Sequence, residues 1–197
     1  MLESALHRHG AVVLAAGDSR RLGQAKQLLS VDGETLLRRA ARLALVTAPA
    51  ECVVVLGADA ERMIGVLDDL PVRPVRCVDH ESGMAASLRA GLHALSSDCA
   101  AALVLLTDQP ALDDVHLVTL CERWRAEPLR AVASGYAGVV GVPALLPRHW
   151  FAAAMCIEGD RGARDLLRDR ANEVSVIAAP GLASDIDRPQ DLCGLRD

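Results

Sequence analysis

Three runs without a polar residue, Ala11–Ala15, Cys52–Leu56 and Ala101–Leu106, constrain this chain most. A strand with one wet face alternates apolar and polar side chains, whereas a strand apolar on both faces must be covered on both. Between these runs lie amphipathic stretches. Glu34 to Val46 carries Leu36, Leu37, Ala40, Ala41, Ala44 and Leu45 at helical spacing, which predicts a helix. Further helices are predicted over Ala60–Leu70, Met84–Leu95, Asp113–Trp124 and Arg161–Arg168. Further strands are predicted over Val72–Val78, Ala131–Ser134 and Val174–Ala178, with Pro74 placing the first near an edge or irregularity. Apolar strands separated by helices predict a three-layer α/β domain with a mostly parallel sheet. No repeat or linker divides the chain, so residues 1–197 are expected to form a single domain.

Composition narrows the function. The chain has 197 residues with a formal net charge of −5, and only two Trp, one Tyr and one Phe. Nucleic-acid binding needs an excess of cations and favours aromatic platforms, so it is not expected. No apolar run approaches the roughly 20 residues of a membrane helix. Met1 to Gly10, with Glu3, His7, Arg8 and His9, does not read as a signal peptide. The six cysteines, at positions 52, 77, 99, 121, 156 and 193, have no metal-ligand spacing, which points to reduced thiols and a cytoplasmic protein.

In an open parallel sheet, ligands bind outside the carboxyl ends of the strands. The first strand runs into Leu14-Ala15-Ala16-Gly17-Asp18-Ser19-Arg20-Arg21-Leu22-Gly23-Gln24-Ala25-Lys26. Small residues admit a ligand close to the backbone, and successive amides can cradle an anion. Arg21 offers a planar fork and Lys26 a compact charge for phosphate oxygens. A solvated Arg-Arg turn is the plainer reading of the charges. The spacing matches neither the Gly-x-x-x-x-Gly-Lys phosphate loop nor the dinucleotide fingerprint.

The third apolar run ends in Thr107-Asp108-Gln109-Pro110. A carboxylate there suits a hard cation such as Mg²⁺, and it also suits a turn before Pro110. Gly83-Met84-Ala85-Ala86-Ser87-Leu88 starts a helix whose small residues fit either a nucleoside or close packing on the sheet. In Gly159-Asp160-Arg161-Gly162-Ala163-Arg164, Asp160 can cap a helix starting at Arg161. Asp185 and Asp187 alternate on one segment, so one of them at most readily faces a metal, and an Asp-rich turn before Pro189 is the other reading of the pair.

Taken in order from Leu14 to Leu192, these motifs resemble the MobA-like NTP transferases, and among them the molybdenum cofactor cytidylyltransferase branch. Leu22 replaces the usual Met of the first motif, and Arg188 and Gln190 replace Thr and Glu of the last. The resemblance implies a Rossmann-like nucleotidyltransferase fold and a Mg²⁺-dependent transfer of CMP from CTP to the terminal phosphate of molybdopterin. It assigns Leu14, Ala15, Ala16, Gly17, Ser19, Arg21, Gly23, Lys26, Gly83 and Ser87 to the nucleotide, with Arg21, Lys26 and Asp108 catalytic. It assigns Asp108 and Asp187, with Asp185 in reserve, to the metal. Gly159, Asp160, Arg161 and Arg164 fall to the acceptor, and a molybdoenzyme or its chaperone is the implied protein partner. The Leu-Ala-Ala-Gly opening is the form that goes with CTP. Two other readings stay open: a cytidylyl- or uridylyltransferase acting on a sugar or polyol phosphate, and a noncatalytic nucleotide-binding accessory of a molybdoenzyme.

Overall fold

In the computed structural model, which describes residues 8–17 and 25–183, the apolar runs form the centre of one seven-stranded sheet. The strands are β1 (His9–Ala15), β4 (Cys52–Leu56), β5 (Arg73–Arg76), β6 (Ala101–Leu106), β7 (Ala131–Tyr136), β8 (Val139–Pro147) and β9 (Val174–Ala178). A two-stranded hairpin, β2 (Ser30–Val31) and β3 (Glu34–Thr35), stands apart. The sheet order is β5-β4-β1-β6-β8-β7-β9. Pairing is parallel except where β8 runs against both β6 and β7. The three-layer, mostly parallel fold is therefore as the sequence predicts, and Pro74 lies on an edge strand, where its missing N–H costs no ladder bond.

Both faces of the sheet are covered. Val12, Leu14, Val53, Val55, Ala102 and Val104 point to one side, where α3 (Met84–Ala94), α5 (Phe151–Met155) and α6 (Ala163–Asp169) pack. Ala11, Val13, Ala15, Val54, Leu56, Leu103 and Leu105 point to the other, against α1 (Leu36–Val46), α2 (Ala60–Gly65) and α4 (Asp114–Ala126). The period-two side-chain alternation thus feeds two apolar layers from the same residues. Gly91 lets α3 lie close on the sheet, since a Cβ there would stand 2.3 Å from Val12 Cγ1. Helix ends follow local chemistry: Thr35 accepts from the Arg38 amide at 3.3 Å and Asp113 from the His116 amide at 2.8 Å.

Three expectations are corrected. The helix predicted from Glu34 starts at Leu36, because Glu34 and Thr35 belong to β3 and Thr35 serves as the cap. The helix predicted over Ala60–Leu70 closes at Gly65 and continues as turns. The helix predicted from Arg161 starts at Ala163: its N-cap is Gly162, whose N–H donates to the Asp165 carboxylate at 3.0 Å, so Asp160 is not the cap.

Candidate active site

The chain leaves β1 and returns to the sheet as β4 on one side, and later as β6 on the other. Between β1 and β6 the connections diverge, and this opens a crevice at the carboxyl ends of the two strands. Leu14 lies in register with Leu106, so the residues after each strand face each other across the crevice. There Lys26 Nζ stands 2.7 Å from Asp108 Oδ2. The two groups are 82 positions apart in the chain.

The pair lies in a cavity of about 620 Å³ lined by Leu14, Ala16, Gly17, Lys26, Gln27, Leu106, Thr107 and Asp108 from the β1–β6 side. His80, Glu81, Gly83, Met84, Ser87 and Asp160 line it from the α3 side. A volume of that size holds a nucleotide-sized ligand. Asp108 Oδ1 is buried and has no hydrogen-bond partner among the described residues. An orphaned carboxylate oxygen in a cavity wall is costly unless a cation or a donor meets it.

Lys26 is held by its neighbour. Gln27 is 1% exposed, and its side-chain amide donates to Ala15 O at 3.0 Å and to Gly17 O at 2.8 Å. Two carbonyls of the β1 loop are thereby fixed to the short helical turn Lys26–Leu28. Gly83 begins α3 with φ of 98°, a conformation that side chains other than hydrogen rarely adopt. A Cβ there would come within 2.4 Å of Gly159 O. The loop that carries Asp160 is tied to α3 twice, by Ala85 N–H donating to Gly159 O at 3.1 Å and by the Arg89 guanidinium donating to Ile157 O.

The structure thus brings together Leu14, Ala16, Gly17, Lys26, Gly83, Ser87, Asp108 and Asp160. Ala15 is buried beneath, with its carbonyl on Gln27, and Gly159 contributes its carbonyl to α3. Arg161 and Arg164 do not line the cavity. Arg161 instead donates to Asp169 at 2.7 Å, so a phosphate role would require it to exchange partners. Ser19, Arg21, Gly23, Asp185 and Asp187 lie outside the described residues. Sequence reasoning missed Gln27, His80, Glu81 and Thr107. His80 and Glu81 follow β5, and the same strand-end rule applied to that strand would have flagged them.

A Ser–His pair also forms, His116 Nε2 with Ser134 Oγ at 2.8 Å, but it is not a nucleophile and base. Ser134 is fully buried and donates its single proton to Pro143 O at 2.7 Å. The imidazole, whose pKa burial holds down against the opposing charge of Asp113, must then be the donor.

A mostly parallel sheet with a Lys–Asp pair at the carboxyl ends of β1 and β6, facing a cavity of nucleotide size, is an arrangement suited to holding a nucleotide. Residues 11–174 match the family model for the MobA-like NTP transferase domain, and the chain belongs to that family. It is 35% identical over 180 residues to nicotine blue oxidoreductase of Paenarthrobacter nicotinovorans, covering 84% of each chain. It is 31% identical over 191 residues to the purine catabolism protein PucB of Bacillus subtilis, covering 91% of this chain and 92% of that one. Among solved structures, Rv0371c of Mycobacterium tuberculosis superposes with a TM-score of 0.81 at 29% identity, over 95% of this chain and 97% of that one. Rv0371c has also been solved in complex with manganese, where the likeness is 25% identity and a TM-score of 0.80.

Proposed function

We propose that this MobA-like NTP transferase moves CMP from CTP to the terminal phosphate of molybdopterin and releases pyrophosphate. The observation that carries the reading is the contact of Lys26 with Asp108 across the β1–β6 crevice, in a cavity large enough for a nucleotide. An acceptor phosphate oxygen attacks the α-phosphorus, and the bond to the β-phosphate breaks, the electron pair leaving with pyrophosphate. A phosphate nucleophile is already ionised near neutrality, so the site needs positioning and charge compensation rather than a base.

The family's divalent ion fits the residues present: Asp108 offers a hard carboxylate with one buried oxygen unmet. Asp187, with Asp185 in reserve, is assigned as the second ligand. When bound, Mg²⁺ would draw negative charge off the triphosphate and fix its path. The manganese complex of Rv0371c supports a divalent metal for this fold. On the chain itself, Lys26, Arg21 and the amides of the Gly17 loop, with Ser19 and Gly23, compensate charge on the β- and γ-phosphates. Gly83 and Ser87 hold the nucleoside part. Gly159, Asp160, Arg161 and Arg164 serve the acceptor side, Arg161 after leaving Asp169. The free thiols of Cys52, Cys77, Cys99, Cys121 and Cys156 suit a reducing compartment, and we assign the reaction to the cytoplasm.

The test is pyrophosphate release from a panel of nucleotides and acceptors, run with the intact chain and with Asp108→Ala. CTP with molybdopterin is expected to be the productive pair, and the variant is expected to lose at least 10²–10³ in rate while remaining folded. Turnover with a sugar or polyol phosphate alone would replace the acceptor and keep the class. CTP binding without turnover would mark an accessory protein. Full activity of Asp108→Ala would end the metal assignment.

A further inference from the structure

The Lys26–Asp108 pair bears on the order in which ligands enter. The ammonium lies 2.7 Å from Oδ2, both side chains are largely sheltered at 17% and 16% exposure, and Oδ1 is buried beside them without a described partner. The lysine cannot easily be carried away by its backbone, because Gln27 fastens that turn to Ala15 O and Gly17 O. We propose that Lys26 is a resident counter-ion of Asp108 that repels a lone divalent cation and admits one arriving with a triphosphate, a reading that rests on the assignment of Asp108 to the metal.

The physics is that of a partly desolvated site. Asp108 is already neutralised, so a cation arriving alone gains half of a shared carboxylate and meets the ammonium charge where screening is weak. A triphosphate offers the ammonium another anion inside the same cavity. The lysine then turns from a competitor for Asp108 into a partner of the incoming complex. Linkage makes the effect reciprocal: the factor by which nucleotide strengthens metal binding equals the factor by which metal strengthens nucleotide binding. The ion pair also answers a structural need, since Asp108 would otherwise stand buried and unpaired whenever the cavity is empty of substrate.

The experiment measures Mn²⁺ binding without nucleotide, by electron paramagnetic resonance of the free ion, for the intact chain, Lys26→Met, Asp108→Asn and the double substitution. Lys26→Gln is carried in parallel should the methionine variant fail to fold, with circular dichroism as the check. Removal of the ammonium is expected to tighten Mn²⁺ binding at least tenfold, and Asp108→Asn is expected to abolish that gain in the double variant. If the Lys26 variants bind Mn²⁺ no more tightly than the intact chain while Asp108→Asn weakens binding in every background, the counter-ion role is overturned and Asp108 keeps the metal. If Asp108→Asn leaves binding unchanged everywhere, the metal assignment itself is wrong and the inference goes with it.

Discussion

Gly83 joins a backbone conformation, a helix start and a cavity wall in one residue. Its φ of 98° and the 2.4 Å that would separate an added Cβ from Gly159 O leave no room for alanine. Gly83→Ala is expected to cost about 1–3 kcal/mol of stability and to push the Gly159 loop off α3. A thermal melt and a nucleotide titration would read the two effects separately. His9 tests the far end of β1. Burial, helped by the charge of Arg125, lowers its pKa to about 4, and its Nε2 meets Thr47 Oγ1 at 2.9 Å. The folded chain holds it neutral while the unfolded chain protonates it near 6.5, so this stability is fully present above about pH 6.5 and is lost as pH falls toward 4. The loss is on the order of 2–3 kcal/mol, and urea midpoints for the intact chain and His9→Asn should converge across that window. Lys26 and Asp108 were legible because each follows an apolar strand. Gln27 was not, because two carbonyls ten and twelve residues away give it its role, and no local pattern encodes that path.

Among the elements, the end of β1 and the turn Lys26–Leu28 are joined through the side chain of Gln27. Gln27→Leu would leave Ala15 O and Gly17 O without their donor, at about 1–3 kcal/mol. The variant is expected to raise KM for the nucleotide more than it lowers kcat, and hydrogen exchange at residues 15–17 and 25–28 should quicken. The strands apolar throughout were read with the right bounds at Cys52–Leu56 and Ala101–Leu106, since nothing but a two-faced strand explains five or six such residues. β8 was missed altogether. It contains Gly141 and Pro143, residue types that strands disfavour, and the hairpin before it turns on Ala137 and Gly138 with φ of 48° and 75°. Alanine is a poor marker of such a turn, so the sequence hid both the bend and the strand after it. β8 ends beside the start of β6, and α5 then carries the chain back to α3, where Ala85 N–H meets Gly159 O.

At the scale of the molecule, one sheet carries two apolar layers, and the residues that feed them alternate along the same strands. Loss of packing on one face must loosen the other. Leu103→Ala, at a fully buried position, is expected to cost about 2–5 kcal/mol and to lower the midpoint of one cooperative transition without splitting it. Coincident near- and far-ultraviolet circular dichroism curves would show this, and separated curves would deny it.

The segment 157–162 hangs from α3 by main-chain oxygens, those of Ile157 and Gly159. Its mooring is therefore indifferent to most of the side chains it displays. Substitutions at Glu158 or Arg161, both exposed, are expected to leave the attachment in place.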